Sequence, residues 1–443
     1  MKLYSENEYY KLYQGSMLDM SEVIDKESID SIITDPPYEL NFMNKGWDNS
    51  GIAFQKETWQ KCYEVLKPGG YLLAFGGSRT FHRIACAIED AGFEIRDTIM
   101  WLYGSGFPKS MNIGLAIDKK NGIESKVIGK SSCGKNAMLG GLRDEITTNG
   151  SYEIKKATNE WNGWGSSLKP SFEPIIVARK PFKGNLVDNV IEYGVGGINI
   201  DECRVETQDD LYRKPCENGS IYSQQEKQYT TGTMNDSYKL GRFPANTILT
   251  YDETDFDEVC GGFPYTKSGG SGKIGTFRKA QSPIEFTSPR SVTKENYMEP
   301  NSGSASRYFY CAKASKKDRD EGLDTFNQEK VNDGRQTPID NAFQRGETLR
   351  KNTHPTVKPT ELMQYLIRLV SPEGSTILDC FNGSGSTGKA VMYENKEHNK
   401  NYKYIGIELT EEYLTIAKAR IEYVCNLEPE VDNQTNIFDF IGE

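Results

Sequence analysis

The sequence contains no run of 18 apolar residues, and its start, MKLYSENEYY, lacks a basic stretch followed by an apolar one. It therefore predicts neither a membrane span nor a secretory leader. Its nine cysteines are odd in number, scattered, and never spaced C-x-x-C. That excludes a disulfide framework and a cysteine zinc site, and it fits a reducing cytoplasm. Only three histidines occur, His82, His354 and His398, with no H-x-x-x-H pair, so no metal site is expected. No internal repeat is present. Excess positive charge is also lacking: 53 Lys and Arg against 63 Asp and Glu give a net charge of −10, which argues against indiscriminate binding of polyanions.

What is present is enough for a large core: 443 residues, 36% hydrophobic, a length for two or three lobes. The N-terminal part alternates strand and helix patterns. Lys11–Gln14 reads as a strand, Met17–Asp25 as helical, and Ile29–Thr34 as a buried strand that Pro36 must end. Phe54–Leu66 reads as a helix, Tyr71–Phe75 as a strand, Arg79–Ala91 as a helix, and Glu94–Tyr103 and Pro174–Ala178 as strands. Cys62 and Cys86 on these helices read as small core residues, and His82 as a surface or packing residue. The same grammar returns at Leu362–Leu369, Ser375–Asp379, Tyr404–Glu408 and Glu411–Val424. Two βα units cannot cover both faces of a sheet, so the two ends are expected to build one mostly parallel, Rossmann-like α/β sheet. The expected division is 1–181, with a flap at about 121–159; a smaller inserted domain over 182–351; and 352–443.

Two turns carry chemistry. Asp379-Cys380-Phe381-Asn382-Gly383-Ser384-Gly385 follows a strand and opens a helix, and Glu408 ends the next strand 25 residues after Gly383. Glycines at a strand's carboxyl end admit a ligand close to the backbone, and the spaced acid suits ribose hydroxyls. A rival pattern overlaps it: Gly383–Lys389 (GSGSTGK) satisfies G-x-x-x-x-G-K, a phosphate loop, although Ala390 stands where the Mg²⁺-binding hydroxyl belongs. A nucleoside triphosphatase is therefore a distant alternative. The second turn, Asp35-Pro36-Pro37-Tyr38, pairs a carboxylate with proline carbonyls and a flat ring. Such a pocket accepts N–H bonds from a ring amine while stacking its ring. Acceptors on both N–H bonds favour the tetrahedral nitrogen that attacks a methyl group.

DPPY (35–38) with the downstream glycine turn resembles DNA amino-methyltransferases of the β arrangement, in which the catalytic motif comes first, target recognition lies between, and the cofactor motif comes last. FMNKGWD (42–48), WLYGSGFPKS (101–110), GWGSSLKPSFEPI (163–175) and HPTVKP (354–359) look like phage and prophage members of the N6-adenine/N4-cytosine family. The resemblance covers about 1–180 and 350–425. It implies S-adenosylmethionine as methyl donor, held by Asp379, Phe381, Gly383, Gly385, Glu408, Thr356 and Lys358. It also implies Asp35 and the Pro36 carbonyl as amine acceptors, beside Pro37, and Tyr38 as the stacking ring. Asp rather than Ser at position 35 favours adenine N6, with cytosine N4 as the alternative. Two departures stand out: Cys380 where the family has Pro, and Gly15-Ser16 where it often has Gly-Asp, for which Asp19 is the candidate substitute. This chemistry needs no cysteine nucleophile.

Double-stranded DNA is the partner this resemblance implies, its target base swung out of the stack. Phe42, Trp47 and Asp48 are candidates to close over that base. Thr266–Lys317 carries +7 inside an acidic protein, including Lys267, Lys273, Arg278, Lys279, Arg290, Lys294 and Arg307, interleaved with Phe277, Phe286, Tyr297, Tyr308, Phe309 and Tyr310. These residues are expected to meet phosphates and read bases. A cytoplasmic, nucleoid-associated enzyme is expected. Family members often dimerise, so a homodimer stays open.

Overall fold

The computed structural model describes residues 1–40, 48, 50–103, 110–132, 151–207, 241–251, 265–267, 302–304, 309–313, 317–332 and 347–427. Strands β1 (Lys2–Glu6), β2 (Tyr10–Gln14) and β3 (Ile29–Thr34) lead to helix α1 (Lys56–Val65), strand β4 (Leu66–Phe75), helix α2 (Phe81–Asp90) and strand β5 (Glu94–Tyr103). Helix α3 (Ile113–Lys120) and an antiparallel ribbon of β6 (Lys126–Ser132) and β7 (Ser151–Lys156) precede β8 (Phe172–Arg179) and α4 (Leu186–Tyr193). Short strands follow: β9 (Thr247–Tyr251), β10 (Tyr265–Lys267), β11 (Ser302–Ser304) and β12 (Tyr310–Lys313). After α5 (Lys317–Asp320), β13 (Glu329–Asn332) and β14 (Glu347–Arg350), the chain forms α6 (Thr360–Val370), β15 (Thr376–Asp379), α7 (Ser386–His398), β16 (Lys403–Glu408) and α8 (Glu411–Cys425).

Ten strands form one sheet in the order β1-β2-β16-β15-β3-β4-β8-β5-β9-β12. From β2 through β4 every pairing is parallel; β8 runs against both β4 and β5. The C-terminal strands β16 and β15 lie between β2 and β3, so the two ends of the chain interleave in the centre of the sheet.

Alternation along each strand builds a core on each face. Ile32, Leu72, Ile176 and Leu378 pack with Trp59, Cys62, Ile84 and Ile88 of α1 and α2. Their neighbours Ile33, Leu73, Val177 and Ile377 pack with Leu366, Val391 and Ile421 of α6, α7 and α8. A single charged substitution at Ile33 or Leu73, both fully buried, would place an unpaired charge in this second core.

Three differences from the sequence expectations have physical causes. Strand β4 starts at Leu66, because Leu66 pairs with Ile29 before a bulge carries Lys67–Gly70 past β3. Cys86 is exposed, since α2 turns Ile84, Ala87 and Ile88 inward and residue 86 falls on the other face. Part of 182–351 is joined to the main sheet: β9 pairs with β5, and β12 with β9. Ile248 and Leu249 are thereby buried, and β5 is no longer an open edge.

Candidate active site

Strands β3 and β15 are parallel neighbours, with Ile377 opposite Ser31 and Leu378 opposite Ile32, so both end at one edge of the sheet. The Asp35–Tyr38 turn leaves one strand there and the Asp379–Gly385 turn leaves the other. Thr34 stitches them together, its hydroxyl donating to Asp379 Oδ1 at 2.7 Å. Ligands of open α/β sheets bind at this kind of edge.

In the first turn Pro36 is buried, with Asp35, Pro37 and Tyr38 half-buried. The Tyr38 hydroxyl donates to Glu173 Oε2 at 2.8 Å, and Thr80 Oγ1 donates to the Tyr38 carbonyl at 2.8 Å. Burial first, then the Asp35 and Glu173 carboxylates, raise the Tyr38 phenol well above its ordinary value, so it stays neutral and donates. Glu39 next to it adopts a left-handed φ of 55°, a conformation that costs energy for a side-chain-bearing residue. Asp48 holds that backbone in place: its buried carboxylate accepts from Glu39 N at 2.9 Å and Leu40 N at 3.2 Å. Phe42 and Trp47 lie outside the described residues.

Lys358 enters this pocket from the other half of the chain. Its Nζ donates to Asp35 Oδ2 at 2.6 Å, lies 3.4 Å from Glu173 Oε2, and sits 5.4 Å from the Tyr38 ring centre and 4.9 Å from that of Phe75. Burial opposes its charge, but the Asp35 and Glu173 carboxylates outweigh burial and hold the ammonium above its ordinary value. Asp35 Oδ1 is left buried with no hydrogen-bond partner among the described residues. Glu173, which also accepts from Tyr103 OH at 3.4 Å, is a site residue that the sequence motifs do not single out, although it lies inside the string GWGSSLKPSFEPI.

The second turn is built differently. Asp379 is buried, and burial lifts its carboxyl to about 6 against the pull of bonds from Thr387 Oγ1 (2.6 Å), Thr34 Oγ1 and Phe381 N (3.1 Å). Gly383 and Gly385 both take left-handed φ, 51° and 74°. A Cβ on Gly383 would come within 2.9 Å of His354 Nε2, and one on Gly385 within 2.9 Å of Ala417 Cβ, so only glycine fits either place. Glu408 ends β16 with Oε2 accepting from Gly383 N at 2.8 Å and Oε1 from Thr410 N at 2.9 Å. Burial raises this carboxyl above its ordinary value, although the Gly383, Leu409 and Thr410 donors pull it down. Thr356 is exposed, its carbonyl bonded to the His354 ring, while burial lowers His354 to about 4 and keeps the ring neutral. A tight glycine turn, an acid at the next strand end and the nearby Asp35 carboxylate suit a nucleoside bearing a cationic centre. Asp379, Phe381, Gly383, Gly385 and Glu408 therefore line one turn; Thr356 stands at its rim, and Lys358 faces the other turn.

The phosphate-loop alternative fails on Lys389. Its Nζ is fully buried and spans Asp318 Oδ1 (3.0 Å) and Glu321 Oε2 (2.6 Å), so it anchors the segment around α5 and cannot reach a phosphate. Arg420, also missed from sequence, braces the same turn: it donates to the Ser384 carbonyl at 2.7 Å and to the Asp318 carbonyl at 2.9 Å. Asp19 is exposed at the start of the turn after β2, where Ser16 Oγ accepts from Leu18 N. Of the expected DNA-binding residues, Lys267 falls in β10; Lys273, Arg278, Lys279, Arg290, Lys294 and Arg307 lie outside the described residues.

Fold and site together define an α/β domain with a glycine turn and an Asp-Pro-Pro-Tyr turn side by side. The chain belongs to the N6/N4 family of DNA methylases, whose family model, described as DNA methylase, matches residues 29–419. S-adenosylmethionine is the methyl donor of that family. Type II methyltransferase M.HindIII of Haemophilus influenzae is 26% identical over 147 residues, 32% of this chain and 37% of that protein. M2.LlaDCHI of Lactococcus lactis subsp. cremoris is 25% identical over 226 residues, 44% of this chain and 82% of that protein. The solved PvuII DNA methyltransferase, a cytosine-N4-specific enzyme, superimposes with a TM-score of 0.39 at 12% identity over 96% of this chain and 88% of that one. Among the described residues no helix is long and apolar enough to cross a membrane.

Proposed function

We propose that this chain methylates the exocyclic amine of a DNA base, adenine N6, using S-adenosylmethionine. The observation that supports the reading most is the buried, unpartnered Asp35 Oδ1 at the sheet edge that also carries the glycine turn. Asp379, Phe381, Gly383, Gly385 and Glu408 would hold the cofactor, with Thr356 at the rim. When bound, S-adenosylmethionine supplies an electrophilic methyl group on a cationic sulfur.

The chain's own residues do the rest. A base inside a duplex is out of reach, so the target is swung out and laid against the Tyr38 ring. Asp35 Oδ1 accepts one amine N–H and the Pro36 carbonyl the other. The nitrogen lone pair, otherwise delocalised into the ring, is drawn toward a tetrahedral form and aimed for in-line displacement. The displaced proton leaves to water. Asp at position 35 favours adenine over cytosine within the resembled family.

The stretch 182–351 would supply target recognition, and Lys267, Lys273, Arg278, Lys279, Arg290, Lys294 and Arg307 would neutralise phosphates of a double-stranded site. Alanine at those positions should weaken binding and flatten the dependence of log K on log salt by about 0.9 for each phosphate left without its cation; an unchanged slope would remove that assignment. A cytoplasmic location follows from the substrate. The decisive experiment is expression in a methylation-free host with modified bases read across the genome. N6-methyladenine at one sequence is expected. N4-methylcytosine would overturn the choice of base, and no modification would overturn the function.

A further inference from the structure

Lys358 sits in a motif that the family resemblance places on the cofactor side, yet its charged end lies against Asp35 and Glu173, 5.4 Å from the centre of the Tyr38 ring. We propose that Lys358 and Glu173 are positioning residues for the target amine. Lys358 pins one oxygen of Asp35 so that the other faces the base, and Glu173 holds both Lys358 and the Tyr38 hydroxyl. The proposal rests on the methyltransferase reading and extends it to residues that act through Asp35 and Tyr38.

A carboxylate has two equivalent oxygens and turns freely unless one is fixed. Here Oδ2 takes the Lys358 ammonium at 2.6 Å, and Oδ1 is the oxygen left over. A lysine side chain only 7% exposed must be paired, and Asp35 alone would leave the pocket neutral. Glu173 as second partner gives the three groups a net charge of −1, which favours a cationic sulfur nearby. Glu173 Oε2 also receives the Tyr38 hydroxyl, so one carboxylate sets the stacking ring and the lysine together. The other groups facing Asp35 are the Tyr38 phenol, His354, held neutral, and Asp379 at the end of the neighbouring β15; Tyr103 faces Glu173.

The test measures methyl transfer from labelled S-adenosylmethionine to DNA with full-length protein, comparing Glu173→Gln, Lys358→Met and the double variant. The isosteric E173Q is expected to lose about 30-fold in kcat, with KM for S-adenosylmethionine within about twofold. K358M, which leaves two carboxylates facing each other, is expected to lose about 10³-fold. Adding E173Q to it should recover about tenfold, because Asp35 then no longer faces a second carboxylate. A cofactor-binding lysine would instead raise KM and leave kcat at saturation unchanged, which overturns the proposal. Simple additivity in the double variant overturns it too, and a K358M chain that fails to fold still leaves the kcat and KM of E173Q to decide. An inactive wild type would strike down the methyltransferase reading and this extension with it; an active wild type with indifferent variants strikes down the extension alone.

Discussion

Two aspartates end neighbouring parallel strands of this sheet, and the protein treats them in opposite ways. Asp35, after β3, has a lysine on one oxygen and, among the described residues, nothing on the other. Asp379, at the end of β15, is enclosed by Thr34, Thr387 and the Phe381 amide. The same side chain, one strand apart, keeps an unpartnered oxygen in one place and is braced by three donors in the other. Which it becomes depends on what meets it: Lys358 and Glu173, from distant parts of the chain, for Asp35; distant Thr34 and nearby Thr387 on α7 for Asp379. A buried acceptor without a partner costs stability, and such costs concentrate where a ligand will supply the missing bond.

The sharpest way to break this contrast is Asp35→Ala. The open acceptor disappears while the glycine turn keeps its bonds. Methyl transfer should fall by at least about 10³-fold, and calorimetric affinity for S-adenosylmethionine should stay within about threefold. Retained transfer would deny Asp35 its role; lost cofactor affinity would place it on the wrong side of the pocket.

Asp379 should respond through stability. Its folded carboxyl is raised to about 6 from an ordinary 3.8, mainly by burial. A group raised in this way adds stability that is fully present below its unfolded value and is lost as pH rises through about 6. Relative to Asp379→Asn, the wild type should therefore lose on the order of 3 kcal/mol between pH 4 and pH 7. Urea unfolding of both proteins at the two pH values checks this, and a difference independent of pH would refute it.

The sheet was legible in sequence where its strands carry runs of apolar residues. Ile29–Thr34, buried along its whole length, forms with those boundaries, and so does Glu94–Tyr103, whose second half puts Ile99 and Trp101 in the core. Both turns were legible because glycine, proline and aspartate punctuate strand ends. The Lys358–Asp35–Glu173 group was not, since its members come from three separate segments and meet only through the tertiary fold. Lys389 shows the reverse failure. A local string matches a phosphate loop, but partners near α5 bury its charge. Strands β9 and β12 escaped notice because they are short and flanked by polar sequence; the open edge of β5 recruits them.

The smallest expected effect sharpens the contrast from inside α7. Thr387→Val keeps the buried shape of a side chain 2% exposed and removes one hydroxyl donor, 2.6 Å from Asp379 Oδ2. A bond to an ionised acceptor is worth more than one to a neutral acid, about 2 kcal/mol against about 1. The substitution should therefore cost about 1 kcal/mol at pH 4, where Asp379 is protonated, and about 2 kcal/mol at pH 8, where it is charged. The sign follows because losing a donor to the charged form pushes the folded carboxyl still higher, deepening the loss on the alkaline side. Denaturant melts of wild type and variant at both pH values read it directly. An equal cost at the two values would mean that Thr387 only fills space, and that the saturation of Asp379 is carried by Thr34 and the Phe381 amide alone.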